Sequence, residues 1–355
     1  MKSYISIGCM SGTSLDGLDL AACRFTFEKN WRFEILKAIT IPYSHKWVNK
    51  LTTASGLYTH DFALLHNEYG KFIGKQVYDF CSDLSEKPEL VSSHGHTIFH
   101  QPHNKLTLQI GNGAFVAAYS GIPTACDFRS LDVALKGQGA PLVPIGDELL
   151  FGEYEFCLNL GGIANVSYRE NGERKAFDIC PSNMAFNHFI KELGFEYDLD
   201  GNLGRSGKVQ DELLTLLNEL EFYQQKGPKS LGREWFENEF IPLINSFQLA
   251  PEDILRTLYE HVSDQLALAV DQFEKGQILI TGGGAHNVFL IELFSEKTKH
   301  KTIVPSAQII DFKEAVIFAF LGILRLRNEI NCLKSVTGSN HDHSGGVIYR
   351  PGDQT

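Results

Sequence analysis

A short polar segment near the start of the sequence, SGTSLDG at residues 11–17, has the residue types of a phosphate-binding loop. Its two glycines allow backbone N–H groups to approach an anion without an intervening Cβ. Its three hydroxyl side chains add hydrogen-bond donors, and Asp16 offers a carboxylate to Mg²⁺, directly or through water. The alternative is a polar turn that is stabilised by its own Asp and Ser side chains.

The sequence predicts a strand on each side of this loop. The same order of strand, glycine-containing polar turn and strand recurs at residues 155–171, EFCLNLGGIANVSYREN. A third strand followed by a glycine turn lies at residues 278–287. These repeats suggest a duplicated fold that holds a ligand between its halves, with unrelated β-hairpins as the alternative. The segment KGQGAPLVP, residues 136–144, is where we expect the chain to pass between domains.

Two segments with helical periodicity complete an α/β pattern. Apolar residues recur on one face of residues 62–80, at Phe62, Leu65, Tyr69, Phe72, Ile73, Val77 and Phe80. Residues 251–273 begin with Pro-Glu-Asp, a helix-start signal, and predict a second long helix with one apolar face, at Ile254, Leu258, Val262, Leu266, Val270 and Phe273.

The composition limits the classes of function. Hydrophobic residues make up 43% and charged residues 21% of the 355 residues, as in ordinary globular proteins. A net charge of −11 without a basic run argues against a nucleic-acid partner, whereas ATP needs only local backbone amides and Mg²⁺. We see neither a membrane-spanning apolar run nor a secretory signal, and the seven cysteines contain no CxxC, so we expect a cytoplasmic protein with reduced thiols and no membrane partner.

Sequence chemistry alone leaves two other functions open. His94 and His96 form an HxH pair, which on a strand would place both imidazoles on one face and favour a metal-dependent hydrolase. His341 and His343 form a similar pair, which we interpret as part of a polar loop. The second alternative is a non-catalytic ATP switch, because a fold does not fix a function.

Taken together, the motifs resemble those of the anhydro-N-acetylmuramic acid kinase family. They occur in that family's order along nearly the whole chain, from about residue 7 to about residue 348. The matching segments are GCMSGTSLDGLD, HGHTIFHQP, TLQIGNGAFVA, DFRSLDVALKGQGAPLVP, NLGGIANVS, AFDICPSN, YDLDG, KSLGREWF and TGGGAHN.

The resemblance implies an actin/hexokinase/Hsp70-like α/β fold of two domains, each with a mixed five-stranded sheet, and nucleotide bound between them. The expected domains are residues 1–127 with roughly 318–355, and residues 128–317. The implied reaction consumes Mg·ATP, phosphorylates O6 of the anhydro sugar and opens its 1,6-anhydro ring with water, giving N-acetylmuramic acid 6-phosphate. The family also suggests a homodimer.

The resemblance further implies roles for individual residues. Asp178 is the base that activates the water. The sugar is expected to contact Thr97, Arg129 and Glu314. Nucleotide and metal are expected at three loops, which comprise Gly12, Thr13, Ser14, Leu15, Asp16, Gly17, Leu18 and Asp19 for phosphates and Mg²⁺, Asn159, Gly161 and Gly162 for phosphates, and Gly282, Gly283, Gly284 and Asn287 for adenosine.

Two of the sugar contacts have structural alternatives. A guanidinium forks onto a carboxylate such as the lactyl group of a muramic acid, but Arg129 could instead pair with Asp127 or Asp132. Glu314 could simply occupy the first turn of an apolar helix. The base is followed by Ile-Cys-Pro-Ser-Asn where Thr-Gly-Pro-Gly-Asn is expected in the family, which predicts a reshaped sugar pocket.

Overall fold

The computed structural model describes residues 2–12, 14–191, 193–225 and 229–352. The chain forms two compact units: Met1–Phe151 with Phe312–Thr355, called the first unit, and Gly152–Asp311, called the second unit. Within the described ranges, no helix combines the length and apolar character that crossing a membrane requires.

Strands and helices alternate along the chain, as the sequence predicts. The strands are β1 Lys2–Met10, β2 Gly17–Phe27, β3 Trp31–Pro42, β4 Leu90–Ser93, β5 His96–Gln101, β6 Leu106–Ile110, β7 Thr124–Cys126, β8 Phe156–Leu160, β9 Ile163–Glu170, β10 Glu173–Pro181, β11 Gln277–Thr281, β12 Lys301–Ile303 and β13 Val347–Tyr349. The helices are α1 His45–Thr52, α2 Thr59–Phe80, α3 Gly113–Ser120, α4 Ser130–Ala134, α5 Pro144–Leu150, α6 Asn183–Lys191, α7 Asn202–Ser206, α8 Asp211–Asn218, α9 Glu221–Gln224, α10 Arg233–Trp235, α11 Ile241–Asn245, α12 Pro251–Asp271, α13 Val288–Lys297, α14 Ala307–Leu326 and α15 Lys334–Thr337.

The first unit is built on a mixed sheet with the order β13-β7-β4-β1-β2-β3. Strand β1 pairs antiparallel with β2 and parallel with β4, so the carboxyl ends of β1 and β4 meet at one edge. The sheet has six strands and not the five expected, because the short strand β13 from the end of the chain adds to β7.

Alternating side chains of the first sheet point to its two faces. On one face, Ile7, Leu18 and Leu20 pack with the predicted stripe of α2 in a single core cluster. On the other face Gly8 lies against α14, where a Cβ would collide with the backbone of Ala315. The central strand is therefore covered on both sides, which fixes the position of the loop that follows it.

The second unit is built on a mixed sheet with the order β10-β9-β8-β11-β12. The predicted apolar face of α12 is buried in its core, and Phe273 packs against the same cluster at partial exposure. With a mixed sheet in each unit, the duplicated α/β class expected from the sequence is confirmed.

The units divide at 151/152 and 311/312, so the first boundary comes later, and the second earlier, than the expected 127/128 and roughly 317/318. Segment 128–151, which includes the glycine-rich segment at 136–144, belongs to the first unit. Its contacts explain this: the Asp132 carboxylate accepts the Gly139 N–H, and Asp147 pairs with Lys313 at 2.6 Å. The glycine and proline content is typical of a turn, but this turn lies within the first unit and not between the two units.

Candidate active site

The opening loop connects β1 to β2 and turns sharply. Leu15 adopts a left-handed conformation with φ 63°, and its N–H reaches the Gly12 carbonyl at 3.4 Å. Gly17 has to be small, since a Cβ there would lie 2.5 Å from the Ile41 carbonyl oxygen on β3. Thr13 lies outside the described residues.

Only part of this loop offers side chains to a ligand. Ser14 and Asp16 are exposed, so a hydroxyl and a carboxylate are available at the tip. Leu18 is 1% exposed in the core, and Asp19 accepts a hydrogen bond from the Thr40 hydroxyl at 2.5 Å. Leu18 can therefore take part in ligand binding only through its backbone.

A chain of hydrogen bonds anchors the base of the loop. The Tyr69 hydroxyl meets that of Tyr43 at 2.5 Å, Tyr43 donates to Ser11 at 2.7 Å, and the Ser11 hydroxyl lies 2.8 Å from Nδ1 of His96. Burial lowers the pKa of His96 to about 4, so this ring is neutral and accepts at Nδ1. The parallel register of β1 and β4 brings these groups together.

Arg129, expected at the sugar, precedes α4 and is fixed by two acceptors. Its Nε and Nη2 lie 3.2 and 2.9 Å from Nε2 of His94, and its Nη1 donates to the Gly139 carbonyl at 2.6 Å. The carboxylates weighed as its partners bind elsewhere: Asp127 accepts the Ser130 N–H at 3.3 Å, and Asp132 accepts that of Gly139.

The charge on Arg129 is maintained by its surroundings. Burial lowers the pKa of this guanidinium to about 10, and the nearby Glu314 carboxylate counteracts that effect, so the side chain is cationic at neutral pH. Burial, followed by the Arg129 charge, holds the pKa of His94 well below its usual value. A neutral imidazole is the form that accepts a hydrogen bond at Nε2, while Nδ1 lies 3.0 Å from the Gly95 carbonyl.

The other two expected sugar contacts lie in the same unit. Thr97 directly follows His96 on β5, and its hydroxyl lies 3.4 Å from Nε2 of Gln109. Glu314 lies in the second turn of α14 or beyond, and not in the first, since that helix begins at Ala307. Its side chain is exposed. The first unit thus brings the opening loop, Thr97 and Arg129 together through contacts with Ser11, His96 and His94.

The HxH pair does not present its rings on a common face. Gly95 between them has φ +75°, which breaks the strand alternation. His94 consequently contacts Arg129, and His96 contacts Ser11. Across the described ranges, the His, Cys, Asp and Glu side chains close enough to share a metal are Asp132, Cys332 and His343, a group without either member of the pair.

In the second unit, the glycine turn between β8 and β9 consists of Gly161 and Gly162. Its carbonyls accept the N–H groups of Asn183 at 3.2 Å and of Ser182 at 2.9 Å, so the start of α6 is bound to the turn. A Cβ at Gly162 would meet nothing closer than 3.7 Å, which leaves room above the turn for a ligand.

The third glycine loop follows β11 and lies against this turn. Gly282 has φ +82°, and a Cβ there would lie 2.9 Å from the Leu160 carbonyl oxygen. The strand register pairs Thr281 with Asn159, so the structure brings both predicted loops of this unit together. The Asn287 side chain caps α13 by accepting the Leu290 N–H at 3.1 Å, and it donates to the Tyr259 hydroxyl at 2.7 Å.

Asp178 is the predicted base, and it lies on β10 just before a bulge at Cys180. Its Oδ2 accepts the Ser230 hydroxyl at 3.0 Å and the Leu231 N–H at 2.9 Å. Within the described residues, Oδ1 has no hydrogen bond. Burial raises the pKa of Asp178, and the two donors partly offset this rise.

The sheet aligns Asp178 with the phosphate loops. Cross-strand pairing places Asp178 opposite Asn165, and Asn165 opposite Asn159. Directly paired residues share one face of a sheet, about 5 Å apart. Asp178 and the two glycine loops of the second unit therefore meet at the same end of this sheet.

Sequence reasoning missed the groups that hold these residues in position. Ser230 and Leu231 lie in KSLGREWF, a motif used only for the resemblance, and they are more than fifty positions from Asp178. The sequence indicates only a metal ligand at His94, whereas in the structure this ring positions Arg129. Asn183 binds the Leu160 carbonyl at 3.0 Å, and its position after Pro-Ser in AFDICPSN was the available signal.

Comparisons with known proteins agree with the motif match. The family model described as anhydro-N-acetylmuramic acid kinase matches residues 4–351. The anhydro-N-acetylmuramic acid kinase of Mannheimia succiniciproducens is 33% identical over 376 residues, with 98% of this chain and 99% of that protein covered. The enzyme of that name from Vibrio cholerae is 34% identical, with 97% and 98% covered.

Among solved structures, component A of the Acidaminococcus fermentans (R)-2-hydroxyglutaryl-CoA dehydratase aligns with 89% of this chain and 96% of its own, at 12% identity and a TM-score of 0.44. The family match alone spans nearly the whole chain and includes both units. The chain belongs to the anhydro-N-acetylmuramic acid kinase family.

Proposed function

We propose that the protein transfers the γ-phosphoryl group of ATP to O6 of 1,6-anhydro-N-acetylmuramic acid and opens the anhydro ring with water. Family membership supports the kinase and its place in cell-wall recycling. The observation that carries the ring-opening step is the carboxylate of Asp178, which is fixed through Oδ2 and keeps Oδ1 for a water molecule.

The proposed reaction balances without a further reactant. Water attacks the anomeric carbon, the bond from that carbon to O6 breaks, and O6 forms a bond to the γ-phosphorus as ADP leaves. Asp178 takes the proton of the attacking water at Oδ1. Burial raises the pKa of this carboxylate, which increases its basicity toward water. The product is N-acetylmuramic acid 6-phosphate.

The glycine loops are proposed to hold the nucleotide. Room above Gly162 suits a phosphate, and Gly283 also has open space, since a Cβ there would come no closer than 3.7 Å to another atom. Ser14 and Asp16 present hard oxygen atoms at the exposed tip of the opening loop, and such ligands fit Mg²⁺. When bound, the ion neutralises phosphate charge.

Arg129 is proposed to bind the lactyl carboxylate of the sugar. A guanidinium has five N–H donors, and those beyond the contacts with His94 and Gly139 remain for a ligand. The neutral His94 ring adds no competing positive charge and fixes the plane of the fork. Thr97 and Glu314 are proposed to contact the sugar hydroxyl and amide groups.

The decisive experiment follows the oxygen of water. We expect the wild type with Mg·ATP and the anhydro sugar in ¹⁸O-water to give a sugar phosphate with one heavy oxygen at the anomeric carbon. Asp178→Asn removes the proton acceptor, and we expect turnover to fall by about 10²- to 10⁴-fold. Asp211→Asn, an exposed carboxylate of the same unit, is the matched control and should retain full activity.

The outcomes separate the parts of the proposal. Phosphorylated product that still contains the closed anhydro ring would overturn the coupled opening and leave a sugar kinase. Full activity of Asp178→Asn would remove Asp178 as the base. ATP use that depends on no amino sugar would favour the ATP switch.

A cytoplasmic location and a homodimer are proposed with this function, since ATP is the phosphoryl donor and the family suggests a dimer. Six of the seven cysteines are buried, which accords with a reducing compartment. Sedimentation equilibrium would test the dimer directly, and a monomer mass at micromolar concentration would refute it.

A further inference from the structure

Three potential metal ligands converge inside the first unit, away from the phosphate loops in the sequence. Asp132 is on α4, Cys332 precedes α15, and His343 lies in the C-terminal segment. Their Oδ, Sγ and imidazole nitrogen atoms all lie within 4.8 Å of one another. These residues are 0%, 1% and 7% exposed, respectively.

One nitrogen in this group lacks a hydrogen bond. Nε2 of His343 is buried and makes none within the described residues. It points toward Asp132, 3.6 Å from Oδ1, while Nδ1 lies 3.2 Å from the His341 carbonyl. A ring that donates at Nδ1 to a carbonyl exposes a bare Nε2, which is the usual arrangement of a histidine that binds a metal.

The distances between the ligand atoms suit a tetrahedral ion. Bond lengths of Zn²⁺ to sulfur, nitrogen and oxygen imply edges of about 3.4–3.6 Å between neighbouring ligand atoms. Sγ of Cys332 lies 3.1 Å from Oδ1 of Asp132, and Nε2 of His343 lies 3.6 Å from the same oxygen. The third pair, Sγ of Cys332 and a ring nitrogen of His343, lies within 4.8 Å, so side-chain movement would bring all three atoms to bonding distance from one ion.

Charge and outer contacts also fit a divalent ion. A thiolate and a carboxylate together neutralise Zn²⁺, so the buried site would have no net charge. The Asp132 carboxylate is already oriented, because Thr337 donates to Oδ1 at 2.7 Å and the Gly139 N–H to Oδ2 at 2.6 Å. Without a metal, Cys332 would keep its proton and donate to Asp132, leaving the His343 nitrogen unsatisfied.

We propose that Asp132, Cys332 and His343 bind one Zn²⁺, with water at the fourth position. Backbone hydrogen bonds between Cys332 and His343, at 3.1 and 3.2 Å, hold two ligands in an isolated bridge. The ion links this bridge to α4, three residues beyond Arg129. Its role is structural, and binding releases the thiol proton. Zinc binding here does not require the proposed kinase activity.

The test starts with the wild type without an affinity tag, from zinc-supplemented cells. We expect elemental analysis to give one zinc per chain. X-ray absorption of the bound zinc should show one sulfur ligand at about 2.3 Å and lighter ligands at about 2.0–2.2 Å. Cobalt exchanged into the site should add a thiolate charge-transfer band and the visible bands of tetrahedral cobalt.

Variants assign the ligands. Cys332→Ser should abolish the charge-transfer band. His343→Asn removes a direct ligand and should weaken cobalt binding by roughly 100-fold or more, since loss of a residue that only hydrogen-bonds to a ligand can already cost about 100-fold. Cys81→Ser and His341→Asn, the matched controls, should bind cobalt like the wild type. Activity is not the readout, so failure of the kinase proposal leaves this test unaffected.

Several results would overturn the inference, including some from the wild type alone. Substoichiometric zinc in the wild type, a shell of nitrogen and oxygen only, or a thiolate band that disappears in Cys81→Ser would each refute it. The wild-type spectra decide the matter even where Cys332→Ser fails to fold.

Discussion

At the scale of single residues, burial of Asp178 couples the ionisation of its carboxyl group to the stability of the fold. Burial raises its folded-state pKa above the value in the unfolded chain. A raised pKa means that the folded state binds the proton more tightly, so the associated stabilisation is full below the unfolded pKa and is lost as pH rises through the folded pKa. Ionisation of Asp178 therefore reduces the stability of the second unit as pH rises through its folded-state pKa.

Ser230 affects the pKa of Asp178, so replacing it should change the pH dependence of the reaction. Its hydroxyl donates to Oδ2 and favours the carboxylate, so it lowers the pKa that burial raises. In Ser230→Ala, we expect the pKa of Asp178 to rise and the acidic limb of the kcat/KM profile to move to higher pH. The measurement is the pH dependence of kcat/KM for sugar phosphorylation.

A comparison variant makes the Ser230 test specific. Ser246→Ala removes an exposed hydroxyl of the same unit that bonds only to the nearby Leu243 carbonyl, at 2.7 Å. We expect its pH profile to match that of the wild type. A profile of Ser230→Ala that keeps its acidic limb in place, at whatever overall rate, would show that the hydroxyl does not tune the base.

At the scale of elements, the glycine loops depend on close approach of backbone segments. Two glycines of equal φ allow the cost of steric overlap to be compared with the cost of the backbone conformation alone. Gly282 and Gly172 both have φ +82°, but a Cβ on Gly282 would press on Leu160, whereas one on Gly172 would meet nothing within 4 Å. Alanine at either position is forced to a positive φ, which costs about 1–3 kcal/mol, and Gly282 also has ψ 161°, a combination that essentially only glycine adopts. At Gly282, steric overlap adds about 1–3 kcal/mol.

We therefore expect Gly282→Ala to lower the free energy of unfolding by more than Gly172→Ala does. We also expect only Gly282→Ala to raise the KM for ATP, since it displaces the turn at Gly161. Urea unfolding and ATP saturation curves measure the two effects. Equal losses of stability in the two variants, with an unchanged KM, would separate this loop from nucleotide binding.

Local sequence patterns predicted the helices and strands better than the side-chain contacts between them. The stripes of α2 and α12 and the strand–glycine–strand segments are properties of neighbouring residues, and they were predicted correctly. The sequence leaves an HxH metal pair open, but in the structure Gly95 has a positive φ, and His94 contacts Arg129 whereas His96 contacts Ser11. The clamp of Ser230 on Asp178 had no local signal, because the fold alone brings the two segments together.

At the scale of the whole molecule, the two units differ in how the chain builds them. The first unit is formed by two segments of the chain, Met1–Phe151 and Phe312–Thr355, and its strand β13 from the second segment pairs with β7 from the first. The expected first boundary, 127/128, lies before the observed one at 151/152, and the expected second, roughly 317/318, lies after the observed one at 311/312. The second unit, by contrast, is one continuous segment, Gly152–Asp311.

This continuity gives the last prediction: residues 152–311 should fold when expressed alone. All members of its core cluster lie between Phe156 and Ile310, so the segment carries a complete hydrophobic core. We expect a helical circular dichroism spectrum, a single cooperative urea transition and dispersed methyl signals. As a matched pair, Phe294→Ala, a fully buried side chain, should reduce stability by about 3–5 kcal/mol, whereas Leu268→Ala, which is 66% exposed, should change it little. A fragment that lacks a cooperative transition would show that this core needs the rest of the chain.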